Sequence, residues 1–352
     1  MFVALRDLRA ARGRFLLITL VVTLVALLVS FLSGLTAGLA HQNISAVESF
    51  PGDTIVFADT GAAPSFDAST LTAEQVAAWQ AAAGPNGTVD PIGISHGKVD
   101  PSGRASVQVA FFGTTGTAFG NRSATENGSV VLSTGAANDL GAAAGDSVTI
   151  SGRTFTVAAV RGDDWYSHTP VVWTTLADWQ SMSPRSGAAT VLAVSGVADR
   201  TAVNATAHTQ TTDPSGALSA LSAYKAENGS LTLMTVLLFA ISALVIGAFF
   251  TVWTVQRMPD IATLKALGAT SGSLVRDALT QAAIVLTAGV AVGLGITVAA
   301  AAFMGDALPF VLTPATTLLP AIALIALGLI GAAFALRFLF TTDPLTALGA
   351  AR

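Results

Sequence analysis

The chain has 352 residues, of which 52% are hydrophobic and 11% charged, and its formal net charge is −4. A charged fraction so far below the roughly 25% of soluble domains excludes an ordinary water-soluble globular protein. There is no cysteine, which excludes disulfide frameworks, zinc–thiolate sites and thiol nucleophiles.

Residues 1–14 carry Arg6, Arg9, Arg12 and Arg14 against Asp7 alone and are read as a cytoplasmic interfacial helix. Residues 15–40 contain no charge. That run exceeds the roughly 20 residues a span needs, is too long for a signal-peptide core and ends in no convincing A-x-A cleavage site, so it is the first transmembrane helix. Ser30, Gly34 and Gly38 recur along it every four residues, a small-residue face expected to pack on a second span or a second subunit. Three more apolar runs follow, at 229–255, 278–305 and 307–336. Gly289, Gly293 and Ala300 give the 278–305 span a similar small face. In the last run Pro309 and Pro314 precede Pro320, so its helix is expected from near Thr316, after an outer turn around Asp306.

Between the first and second spans lie residues 41–228, far longer than the roughly 12–15 residues beyond which structureless loops become uncommon. Ser106–Gly113 alternates as a strand does, Ser147–Val160 reads as a hairpin around Ser151 and Gly152, and Leu71–Ala83 and Thr174–Met182 read as helices. Trp79, Trp165, Trp173 and Trp179 are expected to pack the core. His96, His168 and His208 have no metal-ligand spacing. The fold class is therefore an α-helical membrane protein with four transmembrane helices, one N-terminal and three C-terminal, and a mixed α+β extracytoplasmic domain inserted between helices 1 and 2. Segments assigned to the cytoplasm hold nine Lys or Arg against four acids, whereas 41–228 holds eight against sixteen. The positive-inside rule then puts both termini in the cytoplasm and 41–228 outside.

Residues 256–277 join the second and third spans. Pro259 can start a helix and Gly268 can end it, and Ile261, Leu264 and Leu267 fall on one face between them. So short a helix is unstable alone and its apolar stripe needs a cover. Lipid headgroups and a cytosolic partner protein are both open readings. No phosphate loop of the form G-x-x-x-x-G-K-[ST] occurs, Gly97-Lys98 lacking the earlier glycine, and neither H-E-x-x-H nor G-x-S-x-G is present. The chain is expected not to be an enzyme and to have no nucleic-acid partner.

The order of one span, a long outer domain and three spans resembles the FtsX-like or MacB-like ABC transporter permeases. QRMPDIATLKALGAT (Gln256–Thr270) is similar to their coupling segment, LGAAAGDSVTISGRTFTVAAV (Leu140–Val160) to their outer-domain hairpin, and DPLTALG (Asp343–Gly349) to their C-terminal tail, residues 337–352 being cytoplasmic. The resemblance implies a homodimer in the lipid of a bacterial cytoplasmic membrane that binds two copies of a separate ATPase, which holds the ATP. Arg257, Asp260, Leu264, Lys265 and Leu267 would form that contact.

LSGLTAGLAHQNISAVESFPGDTIVF (Leu32–Phe57) is similar to the corresponding part of the haem-efflux permeases of this family. It implies haem as transported ligand, with no intrinsic cofactor, and Glu48 as the axial iron ligand. A carboxylate is a hard donor suited to ferric iron. Glu227 is the rival glutamate, and a solvated or helix-capping role stays open for Glu48. Phe31, Leu231 and Met234 are candidate lining residues, with ordinary helix packing or lipid contact as the alternative, and Met234 could bring a thioether to the metal. Asn43 is expected to hydrogen-bond at the helix end. The same architecture also serves mechanotransmitting permeases that regulate an envelope enzyme or sensor, and exporters of other lipophilic compounds.

Overall fold

The computed structural model describes residues 12–336 apart from 102–104, 116–118, 184, 186 and 306–307, and leaves out the side chains of Arg12, Arg14, Phe15 and Asp260. The expected interfacial helix up to residue 11, the outer-turn residue Asp306 and the DPLTALG tail lie outside the described residues. The chain divides into two compact units, one formed by the chain up to Gly38 together with everything from Ser230, the other by Leu39–Gly229.

Among the described residues, four helices are long and apolar enough to cross a membrane: α1 (Arg12–Glu48), α7 (Ser222–Gln256), α9 (Ser271–Met304) and α10 (Pro314–Leu336). Only helices and closed barrels satisfy every backbone polar group in hydrocarbon, which is why such apolar runs become helices. Within the membrane unit, Val22 and Ala26 of α1, Ile246 and Phe250 of α7, Leu286 and Val290 of α9 and Leu324 of α10 are buried together. Gly289 and Gly293 let α9 lie against α1: a Cβ on Gly293 would sit 2.7 Å from the Thr23 carbonyl oxygen and 2.9 Å from the Ala26 Cβ. The small face Ser30–Gly34–Gly38 has a different neighbour from the one expected. A Cβ on Gly34 would meet the Phe310 ring at 2.4 Å, and one on Gly38 the Pro309 carbonyl oxygen at 2.0 Å, so this face receives the extended segment before α10 rather than a helix. α10 begins two residues before Thr316, where the Thr313 and Thr316 backbone amides each donate to the other's hydroxyl, at 2.8 and 3.2 Å.

The outer unit carries strands β1 (Thr54–Ala58), β2 (Thr88–Pro101), β3 (Val107–Thr114), β4 (Ser129–Leu132), β5 (Ser147–Ile150), β6 (Arg153–Val160), β7 (Trp165–Tyr166), β8 (Thr169–Thr175), β9 (Val191–Ser195) and β10 (Thr209–Thr212). Around them lie helices α2 (Ala73–Ala82), α3 (Thr134–Leu140), α4 (Leu176–Met182), α5 (Arg200–Ala207) and α6 (Pro214–Leu218). The order is β10-β1-β9-β2-β3-β8-β4-β6-β5, and β5 pairs again with β2. The long β2 makes this possible: its first residues pair with β9, its last three with β5, and the six strands from β2 round to β5 close on themselves. In the β5–β6 hairpin Ser151 and Gly152 have φ of 50° and 77°, the backbone that a two-residue turn between right-twisted strands requires. Trp79 and Trp173 are fully buried, and α2 opens with a Thr72–Gln75 capping box.

Overpacking a tight helix contact costs about 1–3 kcal/mol. Gly293→Ala is expected to lower the midpoint of thermal unfolding in detergent, whereas Gly295→Ala, with nothing within 4 Å of its Cβ, leaves it unchanged or slightly raised. Equal midpoints for the two variants would contradict the α1–α9 contact.

Candidate functional site

The outer end of α1 is built into the core of the outer unit. Ile44, Ala46 and Val47 join Phe50 in its main cluster, while the polar residues between and before them find partners in the segment 163–168. His41 Nε2 lies 3.1 Å from Asp163 Oδ2 and 2.9 Å from the Asp163 carbonyl oxygen. The Trp165 amide donates to Ser45 Oγ at 2.8 Å, and the amides of Ser167 and His168 donate to the carbonyls of Asn43 and Gln42 at 3.0 and 2.9 Å. Ser167 and His168 are left-handed, with φ of 47° and 61°, a conformation unfavourable for residues with a Cβ and held by the bonds around it. The His41 hydrogen bond keeps the Asp163 carboxyl below its ordinary range. Burial pushes Asp164 up although Arg122 stands 3.0 Å from it.

Glu227, at the start of α7, is drawn to the same turn. Asn43 Nδ2 donates to Glu227 Oε2 at 3.1 Å, and His168 Nε2 lies 3.0 Å from both carboxylate oxygens. Asn43 therefore lies buried inside the helix, not at its end, where its side-chain amide has a half-exposed carboxylate partner in place of water. Its Oδ1 is buried without a hydrogen bond. Glu48 is the last residue of α1, is exposed, and has no hydrogen-bond or ion-pair partner among the described residues. The two glutamates thus differ: one is a structural acceptor, and the other presents both oxygens to solvent.

In the membrane unit, the Phe31 ring packs on Phe310 with centroids 5.3 Å apart. Leu231 is half-buried, and Met234 is 57% exposed on an apolar strip of α7 with Leu233, Leu237, Ile241 and Leu244.

The segment between α7 and α9 forms helix α8 (Met258–Ala266), with Pro259 in its first turn and Gly268 at φ 94° just past its end. Ala262 is buried, while Leu264 is 40% and Leu267 80% exposed, so the apolar stripe is uncovered. Lys265 lies in the last turn, where a cation suits the helix dipole. The Asp260 side chain lies outside the described atoms. Arg257 points inward. Its Nη1 donates to Gln281 Oε1 at 2.6 Å, its guanidinium stands 5.1 Å from the Trp253 ring centre, and Gln281 Nε2 donates to Asp277 Oδ2 at 3.0 Å. Gln281 is fully buried. Sequence reasoning passed over Gln281 and Asp277; the available signal was a glutamine inside an apolar run, four residues after an aspartate. Polar side chains at that depth are costly unless paired.

Removing one partner of a buried pair costs about 1–3 kcal/mol, whereas replacing both by apolar groups can be nearly neutral. Gln281→Leu is therefore expected to lower thermal stability, and Arg257→Met combined with Gln281→Leu to recover much of the loss. Additive losses in the double variant would show that the two side chains do not depend on one another.

Residues 15–210 match the MacB-like periplasmic core domain and residues 232–344 the FtsX-like permease C-terminal region. Among curated proteins, the chain is 26% identical to a protein of Staphylococcus haemolyticus proposed to be the hemin transport system permease HrtB, over 99% of both chains. It is 27% identical to the HrtB so proposed in Staphylococcus epidermidis, over 58% of this chain and 59% of that one. Among solved structures, the periplasmic region of MacB from Actinobacillus actinomycetemcomitans aligns with a TM-score of 0.36 and 13% identity, covering 49% of this chain and 93% of that one.

Proposed function

Because the chain belongs to the MacB-like periplasmic core domain family and continues into an FtsX-like permease C-terminal region, we propose that it is the permease subunit of an ATP-driven efflux pump that takes haem from the outer leaflet of the cytoplasmic membrane. The observation that carries the haem reading is the state of the two outer glutamates, set beside the full-length similarity to HrtB-type proteins. Glu48 has a free carboxylate at the end of a helix whose preceding turn is fixed by buried contacts, so its position is defined without its own oxygens being used. Glu227 is already hydrogen-bonded by Asn43 and His168. Glu48 is the axial iron ligand in this reading. Phe31 and Glu48 are 17 residues apart on the continuous helix α1, about 25 Å, more than one macrocycle ligated at Glu48 spans, so Phe31 is no part of this site. A homodimer would cover the exposed strip of α7 that carries Met234.

The work comes from a separate ATPase, two copies of which bind the ATP and dock on α8. Leu264 and Leu267 form the apolar contact, with Asp260 and Lys265 beside them. Arg257 serves that contact from behind, by holding the root of α8 to α9 through Gln281. A mechanotransmitting role is the second reading. It is favoured by the hydrogen bonds that fasten the ends of both α1 and α7 to one turn of the outer unit, since a helix so fastened passes its movement to the domain. Export of another lipophilic compound would differ only in the pocket.

The test is the absorption spectrum of haem added to the purified permease–ATPase complex. A defined ferric spectrum is expected for the wild type and for Glu227→Gln, and its loss in Glu48→Ala with ATPase assembly retained. A wild type with no specific spectrum would remove haem and leave the mechanotransmitting and lipophile-export readings. Leu264→Asp is expected to abolish ATPase association while the haem spectrum persists. Retained association in that variant would move the docking surface elsewhere.

A further inference from the structure

The outer unit contains a cleft of about 240 Å³, open to solvent, that plays no part in the function above; Phe66 and Tyr166 are buried in its wall, Ser95 is half-buried, and Asp67, His96 and Arg185 stand exposed around it. It lies just below the usual range of ligand pockets, about 300–1,000 Å³, so it suits a small solute and not a macrocycle.

The hydrogen-bonding groups of the wall are left open in a definite pattern. Tyr166 is 3% exposed, and its hydroxyl has no hydrogen-bond partner among the described residues. Burial raises its pKa, so it is a neutral O–H donor at any physiological pH. Ser95 Oγ accepts the Trp179 indole N–H at 3.0 Å, which leaves the serine proton free to donate. The Thr169 hydroxyl donates to the Tyr166 carbonyl at 2.6 Å and therefore accepts from His96 Nδ1 at 3.3 Å. That assignment makes His96 Nε2 an acceptor, consistent with a ring that partial desolvation keeps below its usual pKa. Arg185 donates through one Nη to the Asp67 carbonyl, which sets a guanidinium beside a carboxylate of which only Oδ2 is used, by Ser222. The cleft thus offers donors from Tyr166, Ser95 and Arg185, and acceptors from Asp67 and His96. Phe66 and the tilted His96–Tyr166 pair, with ring centres 5.5 Å apart, supply an aromatic floor.

We propose that this cleft binds a small zwitterion of the α-amino-acid class, its carboxylate on Arg185, Tyr166 and Ser95, its ammonium on Asp67 and His96, and its side chain on the aromatic floor. Opposite charges on one small ligand match the wall, whereas a simple anion meets Asp67 and a simple cation meets Arg185. The ligand would touch Tyr166, the residue before the left-handed Ser167–His168 pair, and Asp67, which holds Ser222 at the first residue of α7. The site therefore borders the turn that fastens α1 and α7.

The test uses the full chain in lipid nanodiscs and fluorine NMR line broadening of 4-fluorophenylalanine, with 4-fluorophenylpropanoate lacking the ammonium and 4-fluorophenethylamine lacking the carboxylate. Saturable binding of the zwitterion is expected, about tenfold or more tighter than that of either single-charge probe, a loss equal to about 1.4 kcal/mol. Tyr166→Phe should weaken it without unfolding the domain. Arg185→Met should erase the preference over the amine, and Asp67→Asn the preference over the propanoate. If the wild type shows no saturable broadening, or if Tyr166→Phe binds the zwitterion as tightly as the wild type, the cleft holds only water and the proposal is overturned.

Discussion

The burial of the last turns of α1 in the outer unit is the constraint on which the remaining structure rests. A helix leaving an apolar run carries polar groups in its last turns that need partners once water is excluded. Here the carbonyls of Gln42 and Asn43 accept from the amides of His168 and Ser167 respectively, the Ser45 hydroxyl accepts from the Trp165 amide, and the Asn43 side-chain amide donates to Glu227. Ile44, Ala46 and Val47 add apolar burial between these bonds. The left-handed conformation of Ser167 and His168 is unfavourable by itself, and the bonds that depend on it offset that cost. The same turn fixes Glu227, and with it the start of α7.

This arrangement assigns different work to residues of one chemical type. The Glu227 carboxylate accepts hydrogen bonds from Asn43 and His168, whereas that of Glu48 accepts none among the described residues. Charge is treated in the same way at the other end of the spans. Arg257 is a cation beside hydrocarbon, where an unpaired charge is costly, and Gln281 together with the Trp253 face receives it. The root of α8 is held by this contact and not by its own apolar stripe.

Much of the fold was legible in the amino-acid order, but the site was less so. The hairpin at Ser151-Gly152, the ends of α8 at Pro259 and Gly268 and the burial of Trp79 and Trp173 all follow from short-range rules, and the structure contains each of them. The reading failed where a distant partner changed the meaning of a residue. HQNIS looks like the end of a helix because its polar side chains would favour water, yet residues more than a hundred positions away take water's place. Gly34 and Gly38 looked like a helix–helix face, but what fills it is Phe310 and Pro309 from an extended segment.

The four spans, the inserted α+β domain and the short helix between the second and third spans were already legible in the amino-acid order. Each of these depends on hydropathy or turn chemistry within a window of neighbouring residues. Packing settled the rest: among the described residues Glu227 is hydrogen-bonded while Glu48 has no partner, Arg257 faces Gln281, and Tyr166 opens on a cleft with its hydroxyl unpaired. The physical reason is that a polar side chain's role is set by what satisfies its hydrogen bonds once water is removed, and those partners are fixed by packing between elements far apart in the chain.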